Sequence, residues 1–381
     1  MKPLSPAALT CALASSAWAA SYTESLLSLH KTLVEADSTT KSEALGTQAL
    51  KGYLETNFTV ELQTVEGTRQ NVFAYPGTAR EARVLVTSHF DTVPPYIPYS
   101  RSGDEIRGRG TSDAKGSVAA QIIAVEELLA SGEIVEGDVA LLYVVGEESG
   151  GDGMGAANEL GLTWESVIFG EPTENTLVRA HKGVLGFNIT ADGVAGHSGY
   201  PEYGRSAIDL LVRALDKIQD TKLPWTEEFG NTTLNVGLIE GGVATNVIPE
   251  SASGRASIRA ATEDLQGIQD VLQKAVSEVT PEYVNLTFTG YGLPVSLDYD
   301  VEGMLFALVV LLERPQLTQA GFNTTVVNYY TDVPRLNGTH KRYLYGPGTI
   351  LVAHSADERI TVQDLELAVE DYKKLIFAAL K

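Results

Sequence analysis

Cysteine is almost absent from this chain. Cys11 is the only one in 381 residues, so no disulfide can close within the chain and no thiolate cluster can hold a metal. Positive charge is scarce as well: 28 Lys and Arg stand against 49 Asp and Glu, a formal net charge of −21. A surface of that sign repels phosphate backbones and anionic lipid, which argues against nucleic acid or a membrane as partner. Simple solubility accounts for it at least as well as any steering of a substrate. The apolar stretch at the N-terminus is too short to span a bilayer, and no later uncharged run reaches the roughly 20 residues required. Two hydrolase signatures are also missing. There is no Gly-x-Ser-x-Gly, which counts against a serine hydrolase, and no His-Glu-x-x-His, which counts against a zincin. Repeats and low-complexity linkers are absent too.

What is present begins with a leader-like N-terminus. Lys2 precedes a run of small and apolar residues through Ala14, and Ala17-Trp-Ala19 has the form of a cleavage site. This predicts a secretory signal peptide over 1–19 and an extracellular protein. Cleavage after Ala19 would remove Cys11. Asn-x-Ser/Thr sequons begin at Asn57, Asn188, Asn231, Asn285, Asn323 and Asn337, six of the twelve asparagines, which also favours a eukaryotic secretory route.

The chain is long enough for two domains. Its first part alternates strand and helix patterns, which predicts an α/β layer with a mostly parallel sheet. Helical patterns cover 21–35 and 42–57, and a stronger one runs over 117–131, closed by Gly132. Short apolar strands are expected at 84–87, 139–145 and 166–169. From 184 to 289 the order becomes strand, helix, strand, strand, helix, strand, the βαββαβ order of an α+β ferredoxin-like module. Beyond Gly292 the first pattern returns and ends in an amphipathic helix, with Thr361 as N-cap, Asp364 three residues on, and Leu365, Val369, Tyr372, Ile376 and Ala379 on its apolar face. The expected organisation is therefore a catalytic domain over 20–182 and 292–381, interrupted by a lid or dimerisation domain over 183–291.

Residues with chemical potential stand at the ends of the predicted strands. Glu147 and Glu148 follow the apolar run that ends at Val145. Two like charges side by side cost free energy unless a cation is present or one holds a proton. His89 follows the strand at 84–87, and Asp91 lies two residues on, where it can orient the imidazole. Asp113 sits in the glycine-rich stretch Gly108–Gly116, which is no phosphate loop because Lys115 precedes Gly rather than Ser or Thr. Capping of the next helix is the plain alternative for Asp113. Glu171 follows the strand at 166–169, and His354 precedes the last helix; either alone reads as an ordinary loop residue. Together, His89, Asp113, Glu148, Glu171 and His354 offer imidazole and carboxylate ligands of the kind that suit zinc. Five are too many for one tetrahedral ion with an open position, and suit two ions sharing one carboxylate. Glu147 then remains to take a proton from water whose pKa a bound zinc lowers to about 7.

At this point the chain resembles the M20 metallopeptidases. His89-Phe-Asp-Thr-Val, Gly110-Thr-Ser-Asp-Ala-Lys-Gly, Gly146-Glu-Glu, Gly170-Glu-Pro-Thr and Ala353-His-Ser-Ala-Asp-Glu occur in that family's order. Ser88, where the family often has Gly, is a small departure. The resemblance runs from about residue 25 to the C-terminus. It implies two zinc ions per subunit, with Co²⁺ able to substitute. His89 and Glu171 would hold one ion, Glu148 and His354 the other, with Asp113 bridging, Glu147 as general acid/base and Asp91 behind His89. Gly196-His-Ser-Gly-Tyr-Pro resembles the lid motif whose histidine reaches a partner's active site in dimeric members, a role it extends to His197 beside the alternative of a turn residue. That role would need a homodimer through the lid domain. Asn246, in the stretch Gly241–Pro249, and Arg259 resemble lid positions that hold substrate; a strand salt bridge is the alternative for Arg259. The expected substrate is a small peptide or an N-acyl amino acid. A metallocarboxypeptidase is the leading expectation and an aminoacylase-like or acetylornithine deacetylase-like enzyme the alternative. An M28-type aminopeptidase and a non-catalytic binding protein are the more distant rivals.

Overall fold

Three apolar runs and a fourth, more polar strand pair side by side to make the frame of the first structural unit. In the computed structural model, which describes residues 22–279, 282–301 and 322–381, Val139–Val144, Val84–His89, Ser166–Gly170 and Lys341–Tyr345 lie parallel in that order. The expected signal peptide and Cys11 lie outside the described residues. All residues of the first three of these strands are buried, as befits strands covered on both faces. Helices pack against the sheet because their sequences leave them little choice. Lys115–Ser131 is apolar almost all round, with Val118, Ile122, Ile123 and Val125 buried, and it ends at Gly132 in the left-handed conformation, φ 73°. Val362–Ala379 buries the whole expected stripe of Leu365, Val369, Tyr372, Ile376 and Ala379. Burial of Leu365, Val369 and Ile376 contributes roughly 1.5–3 kcal/mol each relative to exposure. Its start carries a complete capping box: Asp364 N–H donates to Thr361 Oγ1 at 3.0 Å and Thr361 N–H to Asp364 Oδ2 at 3.3 Å.

Two parts of this sheet were not expected, the Lys341–Tyr345 edge strand and a hairpin at the other edge. Thr59–Glu66 and Arg69–Tyr75 form a hairpin that adds two antiparallel strands at the Val139–Val144 edge, giving six strands in all. The outer strand, Thr-Val-Glu-Leu-Gln-Thr-Val-Glu, is polar and partly exposed. An edge strand of this kind lacks the apolar run that betrays a buried strand. Helices over 22–35 and Ala44–Leu54 complete the unit, with Leu26, Leu29, Leu33, Leu50 and Leu54 buried.

The chain divides into two compact units. The second comprises Ala180–Ser296 and Val326–Pro334. It holds a four-stranded antiparallel sheet in the order Thr233–Gly241, Ser251–Ala260, Gly183–Asp192, Val284–Gly292. Gly183–Asp192 alternates cleanly: Leu185, Phe187, Ile189 and Ala191 are buried and Asn188 and Thr190 exposed. The buried set packs with Leu211, Ala214 and Ile218 of the helix Ala207–Gln219 and with Ile268 and Leu272 of Leu265–Val279. No helix among the described residues is long and apolar enough to cross a membrane.

Candidate metal centre

Parallel strands end on the same side of their sheet, and loops beyond those ends collect side chains from distant parts of the chain. His89 is the last residue of its strand, and Glu171 follows Ser166–Gly170 directly. Gly170 lets the helix Lys115–Ser131 approach closely: a Cβ there would stand 2.5 Å from Gln121 Nε2 and 2.7 Å from Ser117 Cβ. Glu147 and Glu148 lie on a short 3₁₀ turn after Gly146, which adopts φ 78° and leaves no room for a Cβ beside the Arg69 guanidinium. Asp113 lies in the turn before the helix that starts at Lys115. His354 lies in the loop before the last helix, itself in the left-handed region with φ 62°.

These side chains converge on Asp113. His89 Nε2 is 3.1 Å from Asp113 Oδ1 and 3.8 Å from Glu171 Oε2. His354 Nε2 is 3.3 Å from Asp113 Oδ2 and 3.0 Å from Glu148 Oε1. Two groups of three result, His89–Asp113–Glu171 and Asp113–Glu148–His354, and within each the ligand atoms lie within 4.8 Å of one another. The first group is buried, while the second opens outward at His354. Asp91 sits beneath both. Its backbone carbonyl is 3.0 Å from His89 Nδ1, and its carboxylate accepts from Glu147 N–H at 3.1 Å, Glu148 N–H at 3.4 Å and Thr40 Oγ1 at 2.8 Å. The nearer contact to His89 thus comes from the Asp91 backbone, with the carboxylate 3.5 Å from Nδ1, while the carboxylate fixes the turn that carries both glutamates.

The electrostatics describe a centre that wants cations. Burial pushes the Glu171 carboxyl up to about 7, against the opposing pull of His89. Burial also raises Glu148, against its hydrogen bond with His354. Asp113 goes the other way: burial disfavours its charge, but hydrogen bonds from His354 and His89 hold it well below the usual carboxylate range. Hydrogen bonds to Asp113 and then to Glu148 push His354 up to about 10. Burial opposes charge on His89, yet the Glu171 charge and the Asp113 hydrogen bond raise it well above its ordinary value. Protons on two imidazoles here offset three clustered carboxylates. Divalent ions would offset them better, and mixed nitrogen and oxygen donors in two triads with one shared carboxylate fit zinc.

Sequence reasoning missed the support beneath this cluster. Arg109 and Glu358 form a buried ion pair at 2.6 Å. Lys115 is buried, with Nζ donating to Leu33 O at 2.8 Å and Ala36 O at 3.0 Å, and burial pushes it down to about 7. Neither has a local signature, because each partner lies far away in sequence. The remaining candidates belong to the second unit. His197 and Asn246 are neighbours there: Gly196–His197 pairs with Val247–Ile248, and Ser198 N–H donates to Asn246 O at 3.0 Å. Both are exposed, and His197 Nδ1 accepts from Gly199 N–H at 3.0 Å. Arg259 lies on Ser251–Ala260, opposite Thr233 and Val184, and is half-buried.

Comparison with known proteins gives this centre a family. The peptidase dimerisation domain of the M20 type matches residues 179–284. A peptidase M20 domain-containing protein of Sordaria macrospora is 43% identical, the match covering 95% of this chain and 86% of that one. A protein of Aspergillus clavatus described as a probable carboxypeptidase is 44% identical, over 93% of this chain and 89% of its own. Among solved structures, a tripeptidase from Staphylococcus aureus shares the fold with a TM-score of 0.75 at 20% identity, over 94% of this chain and 99% of that one. The fold and these relatives define a peptidase-type hydrolase. The chain belongs to the peptidase M20 family.

Proposed function

We propose that the protein is a secreted, two-zinc metallocarboxypeptidase that releases the C-terminal residue of small peptides. The observation that carries this reading is the pair of triads sharing Asp113, with Glu147 on the same turn as Glu148. Relatives described as probable carboxypeptidases support the choice of substrate. His89, Asp113 and Glu171 would hold one zinc, and Asp113, Glu148 and His354 the other. When bound, zinc supplies a Lewis acid for the scissile carbonyl and lowers the pKa of water to about 7. Glu147 takes the proton from the attacking water and delivers it to the leaving nitrogen. Asp91 keeps Glu147 in place through its backbone N–H. On the resemblance of their motifs, Asn246 and Arg259 are assigned to the substrate and its carboxylate, and His197 to the oxyanion, donated across a homodimer.

The decisive experiment pairs metal content with a substrate panel. The wild-type protein should contain two zinc ions per chain, lose activity to a chelator and regain it with Zn²⁺ or Co²⁺. Dipeptides with a free C-terminus should be cleaved, and their C-terminal amides should not. Faster turnover of N-acetyl amino acids would make the enzyme a deacylase instead. Glu147→Gln should keep its zinc and lose about 10²–10⁴-fold in kcat; near-normal turnover would sink the mechanism. Protein recovered from culture medium should begin at Ala20, while retention inside the cell with residues 1–19 attached would refute secretion.

A further inference from the structure

Asp113 and His354 reach their common centre from loops far apart in the sequence, and a second pair of residues holds them there. Glu358 Oε1 accepts three backbone N–H groups of the Asp113 turn: Gly110 at 2.9 Å, Ser112 at 3.2 Å and Asp113 itself at 3.2 Å. Glu358 Oε2 accepts from Arg109 Nη1 at 2.6 Å, and Arg109 Nη2 donates to the His354 carbonyl at 3.4 Å. The Glu358 carbonyl accepts from Gly108 N–H at 3.3 Å. Arg109 and Glu358 are each only 2% exposed. Desolvating such a pair is expensive, and an apolar pair of similar volume often does as well for stability. What an apolar pair cannot do is donate to the His354 carbonyl and receive three N–H groups of the opposing turn. His354 also holds a left-handed backbone, φ 62°, that a histidine rarely adopts without support.

We propose that Arg109 and Glu358 are positioning residues that set the separation of Asp113 and His354, and with it the shape of the Asp113–Glu148–His354 triad. The proposal rests on the two-zinc reading above. The two members act differently. Besides Glu358 and the Pro95 carbonyl, the Arg109 side chain donates to the His354 carbonyl and touches neither His89 nor Glu171, so its replacement by a residue that still pairs with Glu358 should disturb one triad. Glu358 holds the turn that carries the shared Asp113, so its loss should disturb both.

Zinc counting and chelator competition test this on the full-length protein, with circular dichroism and thermal melting to monitor the fold. Arg109→Lys keeps a charge for Glu358 but loses the fork that also reaches His354. It should retain one zinc at wild-type affinity and bind the other about 10–100-fold more weakly, the usual effect of losing an outer partner of a metal ligand. Glu358→Gln should weaken both ions. The double variant Arg109→Met/Glu358→Gln removes both buried charges and guards against unfolding caused by one unpaired charge; it too should weaken both ions. A folded variant that keeps two zinc ions at wild-type affinity overturns the proposal. So does zinc loss that only tracks loss of fold in all three variants, which would make the pair merely structural. A wild-type protein that binds no zinc removes the two-zinc reading itself, and this inference with it.

Discussion

Asp91 shows how much one buried carboxylate can organise. Glu147 and Glu148 hang their backbone N–H groups on it, and Thr40 donates to it from a different part of the chain. Asp91→Ala leaves those N–H groups without their acceptor, at about 1–3 kcal/mol each where water cannot replace it. The expected result is a folded protein with zinc affinity and kcat each reduced about 10–100-fold; unchanged values in both would show that Asp91 does not govern the turn. The ligand candidates are legible in the sequence for a physical reason. His89, Glu148 and Glu171 stand at or just past apolar strands, so their positions can be read locally, whereas Asp113 and His354 lie in loops and are marked only by their motifs. Arg109 and Glu358 are not legible, because they pair across 249 positions and each alone reads as a surface charge. A second residue-scale consequence concerns acid. His181 is fully buried; its Nδ1 faces the Lys182 carbonyl at 2.9 Å, and burial lowers its pKa from 6.5 to about 4. The folded state thus keeps His181 neutral while the unfolded chain protonates it below pH 6.5. Its contribution is complete above pH 6.5 and is lost as pH falls towards 4, on the order of 3 kcal/mol over that window. Urea unfolding at pH 7 and pH 4.5 should show a smaller acid loss for His181→Gln than for the wild type, and equal losses would contradict this.

Among the elements, those with unbroken apolar runs or a wide apolar stripe are the ones the sequence predicts, and the Thr59–Tyr75 hairpin is among those it hides. Val84–His89 and Val139–Val144 are buried on both faces and carry their signal in every residue. The outer hairpin strand shares its face with water and carries Glu61, Gln63 and Glu66, so composition points away from a strand. The second unit's sheet adds a consequence that alternation makes visible. Asn188-Ile-Thr190 and Asn285-Leu-Thr287 lie on adjacent antiparallel strands, with Asn188 opposite Thr287 and Asn285 opposite Thr190. Side chains two apart in a strand share a face. The four sequon residues are therefore exposed together, while Ile189 and Leu286 between them are buried. If the chain passes through a eukaryotic secretory route as proposed, both asparagines are open to glycan attachment on one sheet face. Glycopeptide mapping should find glycan at Asn188 and Asn285. Unmodified asparagines at both, in protein glycosylated at Asn57 or Asn337, would count against this.

At the scale of the whole molecule, the proposed chemistry is unevenly shared. Both metal-capable groups lie in the first unit, and no other such cluster occurs among the described residues. Zinc that binds the folded state and not the unfolded chain stabilises it by mass action, about 4 kcal/mol when free zinc is a thousandfold above its dissociation constant. That stabilisation enters through the strand ends of one sheet, because His89 and Glu171 are the last residue of one strand and the first beyond another. Both strands are interior to their sheet and buried, so their amides open only when much of the first unit opens. Stripping the metal should therefore speed hydrogen exchange in Val84–His89 and Ser166–Gly170. It should leave Gly183–Asp192 and Ser251–Ala260, which carry no metal group, near their original rates. Exchange measured by mass spectrometry with and without chelator reads both units in one experiment. Equal acceleration in both would mean that the metal stabilises the chain as a whole, and no change in either would mean that the carboxylates around Asp113 are satisfied by the His89 and His354 protons alone.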